Sequence, residues 1–150
     1  MKILSLVLFI LEETIIATSS LGPVTLLEVK WAREMGLLSS KTSLEEAARQ
    51  ITASRLVVRR YGVLVKIPPE IKDEARRLGI DPGFARDLAE KLLSLKKFVR
   101  DRFGSEGENY EKWRDRELER EEFRFLFRTS PPSKSPTCGE ECSRSSGAGR

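Results

Sequence analysis

The stretch GVLVKIPPEIKDEARRLGID, residues 62–81, decides how this chain is read. Val63, Val65 and Ile67 alternate with Leu64 and Lys66, and a period of two sends alternate side chains to opposite faces of an extended strand. Pro68-Pro69 closes that strand, because proline brings no N–H to a ladder. Pro69 also suits the first turn of a helix. Ile71, Ala75 and Leu78 then recur at helical spacing, with Lys72, Arg76 and Arg77 on the other side, which predicts a helix over 70–78. Gly79 is the expected left-handed cap of that helix. Ile80 returns to the core, and Asp81-Pro82 reads as the N-cap and first-turn proline of a second helix.

Working downstream, Phe84, Leu88, Leu92 and Leu95 fall on one helical face, widened by Leu93 and Phe98. They predict a helix over 82–102, ended by Gly104. Residues 104–109 are a polar break. Residues 110–128 are dense in charge of both signs and helix-prone, with apolar bulk at Trp113, Leu118, Phe123, Phe125, Leu126 and Phe127. From Thr129 onward the Ser/Pro/Gly composition cannot bury enough surface to fold, so a disordered tail is expected.

Working upstream, Val24, Leu27, Trp31 and Met35 predict a helix over 24–35, stopped by Gly36. Ser43-Leu44-Glu45-Glu46 has the S-x-x-E form of a capping box and opens a helix reaching Ser54. Residues 1–20 are apolar, then Thr/Ser-rich, and suit two short strands or a strand and a loop. The apolar run Ile3 to Leu11 is shorter than the ~20 residues of a transmembrane helix. Glu12 and Glu13 stand where a signal-peptide cleavage region would be small and neutral, so a buried strand or helix start is expected there. The fold class is therefore mainly α with short β. An α/β segment at 1–58 precedes a strand–helix–helix unit at 59–103, followed by a charged, aromatic, partner-binding segment at 104–128 and the tail at 129–150.

The order of these elements, with the Val65-Lys66-Ile67-Pro68 and Leu78-Gly79-Ile80-Asp81 junctions, resembles archaeal VapB-type antitoxins of the ribbon–helix–helix class. The resemblance covers residues 60–103. It implies a homodimer whose strands pair into an antiparallel ribbon, since one strand is not stable alone. Val63, Val65, Ile67, Phe84 and Leu88 would lie in the core and dimer interface. Arg60, Leu64 and Lys66 would face the major groove of operator DNA, which admits a two-stranded ribbon. Backbone N–H groups near the start of the second helix, at 81–83, would lie close to a phosphate. In such antitoxins the segment after the two helices wraps a toxin. Here Trp113, Phe123 and Phe125 would fill its grooves, and Arg116, Arg120 or Arg124 would enter its acidic site. The implied role is a cytoplasmic transcriptional autoregulator of a toxin–antitoxin pair. Leu64 departs from the pattern, standing where a polar base-reading side chain is usual, and residues 1–58 are not accounted for by the resemblance.

Composition agrees with a binding protein. Of 150 residues, 39% are hydrophobic and 33% charged, with a formal net charge of +4. Residues 55–102 hold thirteen Lys/Arg against seven Asp/Glu, so this segment is more basic than the chain as a whole. The chain has no histidine. That removes the commonest general base and metal ligand and excludes Ser/His and Cys/His catalysis. Cys138 and Cys142 cannot close a four-ligand zinc site alone. No cofactor, no metal, no membrane contact and no enzymatic activity are expected.

Two other readings compete. Val24-Thr25-Leu26-Leu27-Glu28-Val29 is similar to the T-x-x-E-V helix start of PIN-domain ribonucleases of the VapC type, in which a glutamate joins aspartates to hold magnesium or manganese. That chemistry needs clustered carboxylates, including an early aspartate, and residues 1–20 contain none. Asp81 and Asp87 would have to be forced into the set, so this reading implies a truncated or inactive ribonuclease. The third reading is an interaction protein of another kind.

Overall fold

The computed structural model describes residues 14–127. The apolar run at Ile3 to Leu11, the tail from Thr129 and both cysteines lie outside the described residues. Five α-helices and a small antiparallel sheet form the fold: β1 (Ile15–Thr18), β2 (Val24–Thr25), α1 (Leu26–Glu34), α2 (Leu44–Leu56), α3 (Glu70–Leu78), α4 (Pro82–Phe103), α5 (Glu108–Arg120) and β3 (Arg124–Phe125). No helix among the described residues is long and apolar enough to cross a membrane.

The local chemistry places most of these boundaries. The Thr25 hydroxyl accepts the Glu28 N–H at 3.2 Å, and the Glu28 carboxylate accepts the Thr25 N–H at 2.9 Å, so T-x-x-E is a complete capping box. At Ser43 only half of the expected box forms. The Ser43 hydroxyl accepts the Glu46 N–H at 3.1 Å, but the Glu46 carboxylate turns to Arg114. A charged partner outcompetes a backbone N–H for a carboxylate. Gly79 closes α3 at φ 73°, and Asp81 caps α4 through the Phe84 N–H at 2.9 Å, both as the sequence predicts.

After Leu56 the helix widens into a π-helical turn, Val57–Tyr61, which ends at Gly62 with φ 64°. The β-branched run at 57–58 is thus helical, held by burial of Leu56 and Val57 between α2 and α4. The sheet runs in the order β2-β1-β3, with Ala17 beside Val24 on one side and Phe125 on the other. The ribonuclease reading calls for a parallel sheet, and the sheet among the described residues is antiparallel throughout.

Two apolar clusters hold the molecule. One gathers Ile16 and Val24 of the sheet with Val29 of α1, Ile51 of α2 and Leu88 and Leu92 of α4. The other joins Leu56 and Val57 to Leu95 and Phe98 of α4 and to Tyr110 and Trp113 of α5. Both clusters take side chains from α2 and α4, across the boundary expected near residue 58. The second also includes α5, across the boundary expected near residue 103.

Candidate functional site

Residues 63–67 connect the π-helical turn to α3 and are assigned no strand. A strand is defined by its ladder, and this segment has no ladder partner in the described chain. Burial nevertheless alternates as a strand's would. Val63, Val65 and Ile67 are half-buried, whereas Leu64 and Lys66 are exposed, Leu64 to 60%. Val63 packs on the α5-side cluster and Ile67 on the other. Among the described residues, residues 63–67 donate and accept no hydrogen bond, backbone or side chain. The half-buried face is covered by the chain's own helices, and the backbone edges are left open.

Beside residues 65–69 runs a groove of about 570 Å³, walled by the first turns of α3 and α4. Its floor is apolar, with Val65, Ile67 and Ile71 and the rings of Pro68, Pro69 and Pro82. Lys66, Lys72 and Arg86 stand around it, with Glu90 the single carboxylate. None of these three cations pairs with a carboxylate among the described residues, although most helix-surface charges here do, such as Lys91 with Asp87 at 3.0 Å.

Arg60 is not on the outward face with Leu64 and Lys66. It lies on the π-helical turn, where its guanidinium binds the Glu117 carboxylate and, at 2.7 Å, that of Glu121. The bond to Glu117 raises its pKa above the ordinary arginine value. Arg60 is a tie between α2 and α5, a correction to its expected place on the ribbon.

Of the residues expected in the core and dimer interface, Leu88 alone is buried, and Val63, Val65, Ile67 and Phe84 are half-buried. Phe84 meets the Trp31 ring edge-on with centroids 4.8 Å apart. The expected partner-binding set divides. Trp113 is 8% exposed within an aromatic cluster that includes Phe98 at 5.2 Å and Phe103 at 5.6 Å, so it is a core residue and not a docking one. Its apolar area is satisfied inside the chain. Phe123 and Phe125 are half-buried against the sheet-side cluster, and the Arg49 guanidinium covers the Phe123 ring at 5.1 Å. Arg116, Arg120 and Arg124 remain exposed; Arg120 pairs with Glu117 at 3.4 Å, and the other two make no ion pair among the described residues.

Sequence reading missed the most buried charge among the described residues. Arg114 is 3% exposed and binds both oxygens of Glu46, with Gln50 Oε1 at 3.1 Å. The same Gln50 oxygen accepts the Tyr110 hydroxyl at 2.7 Å. Burial alone would lower the Arg114 pKa, but the bond to Glu46 outweighs it and the net shift is upward. Burial also raises the Tyr110 phenol well above its ordinary value, opposed by the Arg114 guanidinium and reinforced by the nearby carboxylates of Glu106 and Glu46. The sequence signal was a periodic one: Tyr110, Trp113, Arg114, Glu117 and Leu118 share one helical face.

Glu28, the ribonuclease-like glutamate, is committed to the α1 cap and to Arg55 at 2.7 Å. Asp81 caps α4 and Asp87 pairs with Lys91. No three carboxylate or thiol side chains among the described residues converge as a cation-binding group. No family model, curated protein or solved structure matches this chain.

Proposed function

We propose that residues 62–103 act as a strand-paired DNA-binding module of the ribbon–helix–helix kind, in the role of a non-enzymatic antitoxin and autoregulator. The observation that supports this reading is the open segment at 63–67. Its side chains already alternate between a covered and an exposed face, while its backbone groups have no partner among the described residues. An exposed, unpaired extended segment is a template for pairing with another chain. A second copy of the same segment, laid antiparallel, completes a two-stranded ribbon. Leu64 and Lys66 of both copies then project from its outer face, suited to a thymine methyl and a base-edge acceptor. The Gly83 N–H at the start of α4, which meets no acceptor among the described residues, supplies a phosphate contact, since Pro82 has no N–H and the Phe84 N–H is given to Asp81. Toxin contact falls to Arg116 and Arg124, which are exposed on α5 and β3.

Sedimentation and DNA titration test the reading together. The expected result is a dimer at micromolar concentration, which Val65→Pro converts to a monomer by blocking the ladder. The dimer should bind duplex DNA from the chain's own upstream region with a steep salt dependence. A monomer at high micromolar concentration, or no DNA binding at low salt, overturns it.

A further inference from the structure

We propose that the groove between residues 65–69 and the first turns of α3 and α4 is a docking site for an extended acidic-aliphatic peptide of a partner protein. Three features of the groove converge on that class of ligand, and the inference does not rest on DNA binding.

The first is charge. Lys66, Lys72 and Arg86 border the groove against Glu90 alone, and none of the three has a carboxylate partner among the described residues. Unpaired cations gathered at one cleft attract an anionic ligand. The second is the floor. Ile67 and Ile71 with the proline rings give an apolar lining wide enough, at about 570 Å³, to take side chains. A duplex phosphate backbone would leave that floor unused and would meet Glu90. Aliphatic side chains between acidic ones use both the floor and the rim. The third is the backbone. The N–H and C=O groups of residues 65–67 are unpaired among the described residues, so a peptide can add alongside as a strand, with main-chain bonds supplying affinity and alternate side chains entering the groove. A strand has two edges, so pairing with a second copy along one leaves the other open.

The probe is a fluorescein-labelled octapeptide of alternating valine and glutamate, titrated with the full chain by fluorescence anisotropy. The expected result is saturable binding, weakened about tenfold or more by the double variant Lys72→Glu/Arg86→Glu. Ile71→Ser should weaken it too, while octaglutamate binds less tightly than the alternating peptide. Lys72 and Arg86 are exposed and make no ion pair among the described residues, so the double variant should melt at the parent's temperature. Three results overturn the proposal. One is equal binding of an alternating valine–lysine peptide. Another is unchanged or absent binding of the valine–glutamate peptide across the parent and double variant. The third is displacement of the peptide by duplex DNA together with loss of DNA affinity in the double variant, which makes the groove a nucleic-acid face.

Discussion

The carboxylate of Glu28 meets the guanidinium of Arg55 at 2.7 Å, with the two side chains 15% and 16% exposed. The same carboxylate closes the cap of α1 on Thr25, and Arg55 also donates to the carbonyls of Gly22 at 3.2 Å and Pro23 at 2.8 Å. One ion pair thus joins the start of α1, the turn before β2 and the end of α2. Glu28→Gln keeps an oxygen for the Thr25 N–H but removes the charge facing Arg55. It should lower stability by about 1–3 kcal/mol, and Glu28→Ala by more, because the carboxylate half of the capping box is lost as well. Urea unfolding of the two variants checks the order. A loss in Glu28→Gln equal to that in Glu28→Ala would mean that this half of the box adds nothing.

Arg114 anchors α5 to α2. Arg114→Met leaves Glu46 without its partner and Gln50 with one bond fewer. The expected loss is about 2–3 kcal/mol, below the ~3–5 kcal/mol of a fully buried pair, because the Glu46 side chain is 34% exposed. Thermal unfolding of Arg114→Met, Glu46→Gln and the double variant gives the coupling between them. Additive effects would contradict a direct pair.

Tyr110 makes the fold alkali-sensitive. Burial raises its folded-state pKa, so the folded chain keeps the phenolic proton where the unfolded chain has lost it. This contribution is whole below the ordinary tyrosine value of ~10 and declines as pH rises above it. Stability measured across that window should fall more steeply for the parent than for Tyr110→Phe. At neutral pH the variant should be weaker by about 1 kcal/mol, from the lost bond to Gln50. Parallel pH profiles would refute the assignment.

Arg60 and Lys66 should separate stability from binding. Arg60→Ala leaves Glu117, whose side chain is 8% exposed, with only the longer contact to Arg120 among the described residues, and should destabilise by about 1–3 kcal/mol. Lys66 is exposed and makes no ion pair or hydrogen bond among the described residues, so Lys66→Ala should melt within about 0.5 kcal/mol of the parent. Any DNA affinity should fall in Lys66→Ala at unchanged stability. A Lys66→Ala chain that melts like Arg60→Ala would place Lys66 inside the fold.

The helix ends at Gly36, Ser43, Gly79 and Asp81 were legible because caps are local: a short side chain or a glycine satisfies backbone groups two to three residues away. The face of α4 was legible because periodicity records burial directly. The candidate site was half legible. Alternation in residues 63–67 gave the two faces, and the exposure of Leu64 and Lys66 agrees with it. The same T-x-x-E that is similar to a metal-site glutamate is locally a capping box, and sequence offers no way to choose between the two uses of one carboxylate.

Local chemistry along the chain was enough to specify a mainly helical protein with its caps, breaks and amphipathic faces, each fixed by interactions spanning a few residues. Which charges are spent inside the molecule, and which meet no carboxylate among the described residues, depended on how the helices pack. Arg60 and Arg114 find carboxylates 57 and 68 positions away, whereas Lys66, Lys72 and Arg86 find none among the described residues. The same holds for Phe125, whose strand pairs with Ala17, and for Trp113, folded into its own core. The physical reason is range. Capping and periodicity act along a turn, but ion pairing, strand pairing and aromatic burial depend on which distant segments the fold brings within a few ångströms.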